Sequence, residues 1–432
     1  MNLCIYEDIE ANAFGPLALL RPVFALRCGL FTLVEKLALA FPEARLHLLV
    51  RPHLEAWTRE MYPDAEVTEP SEDDTIFVNG RLCMTDDEVL HFMAASPQEV
   101  SYIAQETLFA AKVQGRRVKH VVRHLREGDP DRAFEDVRLP AEVQAFLARS
   151  GADLIRWSPR QIVQDARYLF EGGVVRGTVD AGVHLLKPEA IHIARNARIM
   201  PGVVLNAEAG PIVIREGATV EPLVTIEGPA GIGESTIIRA GAKIRGGTSI
   251  GPVCRVGGEV AETVFQGYAN KQHDGFLGHS FVGEWVNLGA NTNNSDLKNT
   301  YTSVRTYGSA RDYLEKRGED SGQTLLGLQI ADFTKTGIST SFTTGASVGI
   351  GCNLYGAETM PAYVPSFVWG TPGGFQEHRI DPMVATAQRA MERRKVSLAT
   401  ELDTLLRRAH EETREDRDLY LGAAVARRET GS

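Results

Sequence analysis

Residues 214–256 read IREGATVEPLVTIEGPAGIGESTIIRAGAKIRGGTSIGPVCRV. Ile214, Val220, Ile226, Ile232, Ile238, Ile244, Ile250 and Val256 are eight aliphatic residues, each six positions after the last. Glycine often follows directly, as in Ile232-Gly233 and Ile250-Gly251. A helix repeats every ~3.6 residues and an amphipathic strand every ~2, so neither produces a hexad. A period this short, kept over so many repeats, predicts a solenoid. Each hexad supplies one short strand whose aliphatic residue points into a three-sided prism, and small residues turn the corners. Three hexads complete a coil, and stacked coils bury a continuous aliphatic column.

The hexapeptide pattern resembles that of left-handed parallel β-helices, an exception to the usual right-handed crossover. The period returns at Phe276, Val282 and Leu288, and again at Ile330, Thr336, Phe342, Val348 and Leu354. The polar stretch from Asn291 to about Thr324 breaks it and is expected to project as a loop. Val364 to Gly374 should close the prism. Beyond Pro382, Leu398, Leu402, Leu405, Leu406 and Ala409 recur at three and four, predicting one amphipathic helix that packs on the prism or on neighbouring protomers. The expected domains are residues 1–172, 173–375 and 376–432.

Residues 1–172 read as α/β. Leu3–Tyr6, Leu46–Val50 and Thr75–Asn79 are short apolar strands, and Leu30, Val34, Leu37 and Phe41 follow helical spacing. Strands alternating with helices predict a mostly parallel, three-layer sheet with its ligand beyond the strands' carboxyl ends. The loop from Asn12 to Gly29 and the turn Asn79-Gly80-Arg81 emerge there. Arg21 and Arg27, in a proline-stiffened loop before a helix, suit a phosphate through bidentate bonds and the helix dipole. Pairing with Glu7, Asp8 or Glu35 is the equally weighted alternative.

The 432 residues carry a formal charge of −10, which disfavours a nucleic-acid partner without excluding a local basic pocket. Five dispersed cysteines without CxxC spacing read as reduced thiols. No signal-peptide pattern opens the sequence and no apolar run is long enough to span a bilayer, so a cytoplasmic location and no membrane partner are expected.

The stretches LLRPVFALRCGLFTLVEK and TIFVNGRL resemble the N-terminal region of sugar nucleotidyltransferases fused to left-handed β-helices. These are distant relatives of the bifunctional N-acetylglucosamine-1-phosphate uridylyltransferase/glucosamine-1-phosphate acetyltransferase. DLIRWSPRQIVQDARYLF, Asp153 to Phe170, resembles the junction before the helix. The resemblance implies Mg²⁺ in the N-terminal domain and a phosphate-binding set of Arg21, Arg27, Lys36 and Arg81. Two departures stand out: the family's Gly-x-Gly-Thr-Arg loop is absent, and Gly80-Arg81 stands where the family has Gly-Asp, the Asp holding the metal.

GYANKQHDGFLGHSFVGEWVNLGANTNNSDLKNTY, Gly267 to Tyr301, resembles the acetyltransferase site of the bifunctional enzymes. In that register His273 matches the catalytic histidine and Asn287 a substrate-contacting asparagine. Lys271, Asp296 and Lys298 are further substrate-binding candidates, and the run Lys271 to Asp274 should face outward into a groove between protomers. Thr334 falls on an acyl-CoA-contacting position, with Lys335 beside it. The family's tyrosine three residues after the histidine is Phe276 here, and its substrate lysine falls on Ala261. A metal at His279 is not expected, because no Cys or carboxylate completes a set. The resemblance thus implies a homotrimeric transferase acting on sugar phosphate, nucleoside triphosphate and acetyl-CoA or another acyl-CoA. The alternatives are an acyl-CoA-dependent transferase with a degenerate N-terminal domain and a non-catalytic trimeric scaffold that binds nucleotide sugars.

Overall fold

The structure is a computed structural model that describes residues 1–85, 94–104, 107–137, 141–142, 145–169 and 173–430. The boundary expected at residue 172 lies outside the described residues, as does Phe170. Two compact units form: Met1–Arg27 with Phe31–Asp153, and Cys28–Leu30 with Leu154–Ser432.

In the first unit, β1 (Asn2–Tyr6), α1 (Leu33–Ala40), β2 (Arg45–Leu49), α2 (Glu55–Met61), β3 (Thr75–Asn79), β4 (Val100–Ala104), β5 (Thr107–Val113), α3 (Arg117–Arg126) and β6 (Ala141–Glu142) follow in chain order. The sheet runs β2-β1-β3-β5-β4-β6. β1 is parallel to β2 and β3, but β5 is antiparallel to both β3 and β4. β4 is parallel to β6, so five of the six strands point the same way, as the mostly parallel sheet expected from the sequence requires. β5 alone runs against them and makes the sheet mixed. β4 ends at Ala104 and β5 starts at Thr107, and so short a connection pairs strands only antiparallel.

α1 starts at Leu33 because Thr32 and Glu35 form a capping box, each side chain accepting from the other's backbone N–H. Cys4, Tyr6, Phe77, Val113, Val121 and Phe134 form the core beneath. Gly80 leaves β3 against the Phe24 ring, where an added Cβ would lie 2.8 Å from Cδ1. All five cysteines are buried and free, as their spacing predicts.

The second unit is a parallel β-solenoid preceded by α4 (Gly151–Asp165, whose first three residues belong to the first unit). All eight hexad residues from Ile214 to Val256 are 2 % exposed or less. They stack in three columns, one per face: Ile214 under Ile232 and Ile250, Val220 under Ile238 and Val256, Ile226 under Ile244. One face continues for nine strands. Non-glycine residues with left-handed backbone turn several corners, including Leu223, Val253, Tyr268, Trp285 and Phe333. Two of these aromatic rings, Tyr268 and Trp285, stack at 4.4 Å, which offsets part of the conformational cost.

The hexad then slips. Val256 pairs with Lys271, fifteen positions on, where Ile238 pairs with Val256 after eighteen. The step from Leu277 to Val282 is five residues, so Leu277 faces inward above Val260, not Phe276 as the simple period predicts. The stretch after Asn291 is also not a free loop. Asn293–Asn294 is still a rung, and α5 (Ala310–Leu314) follows. The Ala310 N–H donates to Asp416 Oδ1 at 2.6 Å, and the Tyr313 ring packs against Tyr363 and Tyr420.

The tail forms three helices among the described residues, not one: α6 (Ile380–Glu392), α7 (Thr400–Glu412) and α8 (Arg414–Thr430). They pack on the prism of the same chain. Arg417 is fully buried, donates to His410 O and Glu377 Oε1, and lies 5.9 Å from the Phe367 ring centroid. Leu398 lies ahead of α7, outside any helix.

Lys243 and Ile244 are adjacent in sequence but on opposite sides of one rung, with Lys243 mostly exposed and Ile244 buried. Ile244→Ala should therefore lower unfolding stability by about 2–5 kcal/mol, and Lys243→Ala should stay within about 0.5 kcal/mol, read from urea unfolding midpoints.

Candidate functional site

Two regions gather polar groups. The first is a cleft of about 160 Å³ beyond the carboxyl ends of β1 and β2, lined by residues including Glu7, Asp8, Asn12, Arg51, Pro52 and Arg126. This is where a parallel pair of strands presents a ligand. Arg51 shapes it: its guanidinium bonds Glu7 and donates to Ala18 O at 2.7 Å and Arg21 O at 3.2 Å, pinning the long loop to the end of β2.

Arg81 is not a free phosphate ligand. It is 4 % exposed and donates to both Asp8 oxygens, at 2.8 Å and 2.6 Å, and to Ala148 O. Arg21 and Arg27 are buried, Lys36 is half-buried, and none of the four predicted phosphate ligands lines the cleft. Glu7 pairs with Arg51, Asp8 with Arg81, and Glu35 closes the capping box. Arg51 and Arg126 were missed by sequence reasoning. The sequence did hold a signal for Arg51, which follows directly on a strand's carboxyl end.

The expected Mg²⁺ does not fit the described residues here. Glu7 accepts from Val23 N and from Arg51, and Asp8 from Asn79 Nδ2 and Arg81, so donors already occupy both carboxylates. Nor do any three His, Cys, Asp or Glu among the described residues gather as a metal would need.

The second region is a corner of the solenoid. His273 is exposed there, and among the described residues no side chain bonds its imidazole. Asn287 lies on the next rung of the adjoining face. There the outward residues Arg255, Asn270, Asn287, Lys335 and Asn353 stack in register. Asn270 Nδ2 donates to Asn287 Oδ1 at 2.6 Å. Asn287 and Lys335 are thus brought together, one rung apart. Burial pulls the half-buried Lys335 ammonium down to about 8.

Three other expectations are corrected. Lys271 does not face a groove: it is 1 % exposed and stands in the interior column above Val256. The prism accommodates its ammonium because Gly257 O and His273 O accept from Nζ, at 3.0 Å and 2.9 Å. Thr334 is fully buried, its hydroxyl donating to Gly349 O at 2.7 Å and accepting from Cys352 N at 2.9 Å. Thr236, Gly251 and Cys254 repeat that arrangement, which marks Thr334 as a corner brace and not a coenzyme contact. Lys298 Nζ turns back to Ser303 O within its own loop.

Asp296 is engaged too, by a histidine for which the sequence showed no carboxylate. His279 Nδ1 lies 2.8 Å from Asp296 Oδ2, and Nε2 lies 3.4 Å from Glu262 Oε2. The two carboxylates take opposite ring nitrogens, so they bracket the imidazole and do not converge on one point. Burial alone would depress His279, but both carboxylates outweigh it and lift its pKa to about 9.

This raised value stabilises the fold fully below the unfolded pKa of 6.5, and the benefit is lost as pH rises through about 9. The melting-temperature gap between wild type and His279→Gln should therefore be widest near pH 6 and close by about pH 9.5 in a buffer series.

Residues 3–173 match a family model described as a sugar nucleotidyl transferase. The Bifunctional protein GlmU of Bartonella bacilliformis is 29 % identical over 147 residues, 32 % of this chain and 32 % of its own length. The chain thus spans about a third of that curated relative. Among solved structures, an Arabidopsis UDP-N-acetylglucosamine acyltransferase aligns at 14 % identity over 58 % of this chain and 92 % of its own, with a TM-score of 0.26. A UDP-N-acetylglucosamine acyltransferase from Campylobacter jejuni aligns at 10 % identity over 54 % and 94 %, with a TM-score of 0.19. Scores this low carry nothing about fold or function.

Proposed function

We propose that this chain is an enzyme of nucleotide-sugar metabolism whose N-terminal unit joins a sugar 1-phosphate to a nucleoside triphosphate. One observation carries this reading. The segment that matches the sugar nucleotidyl transferase family also holds a cleft at the carboxyl ends of two parallel strands, with Arg51 and Arg126 in its wall. In the reaction a sugar-phosphate oxygen attacks the α-phosphorus of the triphosphate and pyrophosphate leaves. Such transfer depends on positioning and on neutralising phosphate charge. Arg51 contributes the positioning, by holding the long loop against the end of β2.

Purified protein incubated with Mg²⁺ and a panel of nucleoside triphosphates and sugar 1-phosphates should release pyrophosphate with at least one pair. Arg51→Ala should reduce that release about 10- to 100-fold. Silence across every pair would overturn the reading.

A second activity is favoured by the exposed His273, with Asn287 on the adjoining rung. On this reading the solenoid is an acyl-CoA-dependent transferase. The imidazole takes a proton from an acceptor amine or hydroxyl as that group attacks the thioester carbonyl, and the coenzyme thiolate leaves. Asn287 orients the acceptor, and Lys335 stands on the same face toward the coenzyme. A homotrimer would supply the second wall of the groove.

His273→Ala should abolish thiol release from acetyl-CoA with glucosamine 1-phosphate as the probe acceptor. Light scattering should give a mass three times the 47.3 kDa chain. Undiminished release by the variant would exclude His273 as the base, and a 47.3 kDa particle would exclude the trimer.

A further inference from the structure

A lysine at position 271 is an expensive choice. Its column on this face runs Ile199, Val220, Ile238, Val256, Lys271 and then Leu288. An aliphatic residue fits above and below it. An ammonium in that column loses its hydration, a cost that its surroundings must offset. No carboxylate lies within ion-pair distance of Nζ among the described residues, and the acceptors are two backbone carbonyls, Gly257 O and His273 O. What Lys271 does that a leucine could not is hold those two oxygens.

The local geometry says why that matters. The preceding coil is shortened at this corner: Val256 to Val260 is a step of four residues, not six, so the Gly257-Gly258 corner is tight. Gly258 turns with φ +72, and a Cβ there would lie 2.9 Å from Lys271 Nζ. The ammonium fills the space behind the corner. It draws the His273 carbonyl inward at 2.9 Å while the His273 side chain stays exposed outside. The carbonyl and imidazole belong to one residue, so fixing the first restricts the direction of the second.

We propose that Lys271 is the positioning residue of the acyl-transfer site: from inside the prism its ammonium pins the backbone of His273 and sets the orientation of the imidazole outside. This rests on the reading of His273 as the general base. Lys271 touches no substrate and carries no proton in the reaction. Its protonation should nevertheless be visible. Burial pulls its pKa down to about 8, opposed by Asp274, so the charge-assisted hold on the carbonyl weakens as pH rises through that value.

The test uses the full-length chain with Lys271→Met, similar in length and uncharged, and Lys271→Leu should Met fail to fold. With acetyl-CoA and glucosamine 1-phosphate, kcat should fall about 10- to 100-fold while KM for acetyl-CoA stays within about twofold. The decline of wild-type kcat above about pH 8 should vanish in the variant. A parallel readout needs no turnover: the rate of His273 carbethoxylation by diethyl pyrocarbonate, followed by peptide mass spectrometry from pH 6.5 to 9. The wild-type rate should change through about pH 8 beyond the imidazole's own titration, and the variant's should not. Matching carbethoxylation profiles in wild type and variant would overturn the positioning role. Undiminished turnover by His273→Ala would instead sink only the acyl-transfer reading, leaving the carbethoxylation comparison to decide the role of Lys271.

Discussion

The unbroken interior of the solenoid is the constraint on which the second unit depends. A three-sided coil has no second layer, so every rung must place one side chain per face into the shared column, and each column is only as continuous as its weakest rung. From Ile214 to Val256 that condition is met with aliphatic residues alone. At Lys271, Asn294 and Thr336 polar side chains take the inward positions. Each of them is satisfied by hydrogen bonds: Lys271 to two carbonyls, Asn294 to the backbone of Gly278, Thr336 to Thr292. A buried polar group is tolerated when its partners are complete, and these rungs are where the prism departs from its simplest form.

That departure coincides with the chemistry. The coil between Val256 and Lys271 is the shortened one, and His273 stands two residues beyond it, on the corner that packs over Gly258. The rungs that follow carry Asn287 outward, and the chain leaves the prism after Asn294 and returns at Gln329. The aliphatic rungs supply stability, and the polar ones spend part of it on orienting groups at the surface. His279 follows the same pattern, with Glu262 on the coil before and Asp296 after it clamping one ring across neighbouring rungs.

In the N-terminal unit the arginines do structural work that their positions in sequence did not reveal. Arg81 follows a strand end, where a phosphate ligand was reasonable, yet its guanidinium is consumed by Asp8, a residue 73 positions earlier. A buried guanidinium must find a carboxylate or several carbonyls, and which one it finds depends on strand order. Arg51 reached the cleft for the same reason: β2 lies beside β1, which places Glu7, Ala18 and Arg21 within its span.

The sequence by itself determined the solenoid, because a six-residue repeat of buried side chains is a local pattern and each hexad carries its own instruction. It also determined β1, β2, β3 and the polarity of the tail, through apolar runs and helical spacing. Only the tertiary structure decided that the sheet is mixed and that the tail is three helices packed on its own prism. It alone showed that Phe276 gives way to Leu277, that Lys271 and Thr334 point inward, and that His279 is held by two carboxylates. All of these turn on contacts between residues far apart in the chain or on a three-residue shortening of one coil. A change of register reverses which side of a strand a residue faces, and no count of neighbouring residues reveals it until the strands are paired.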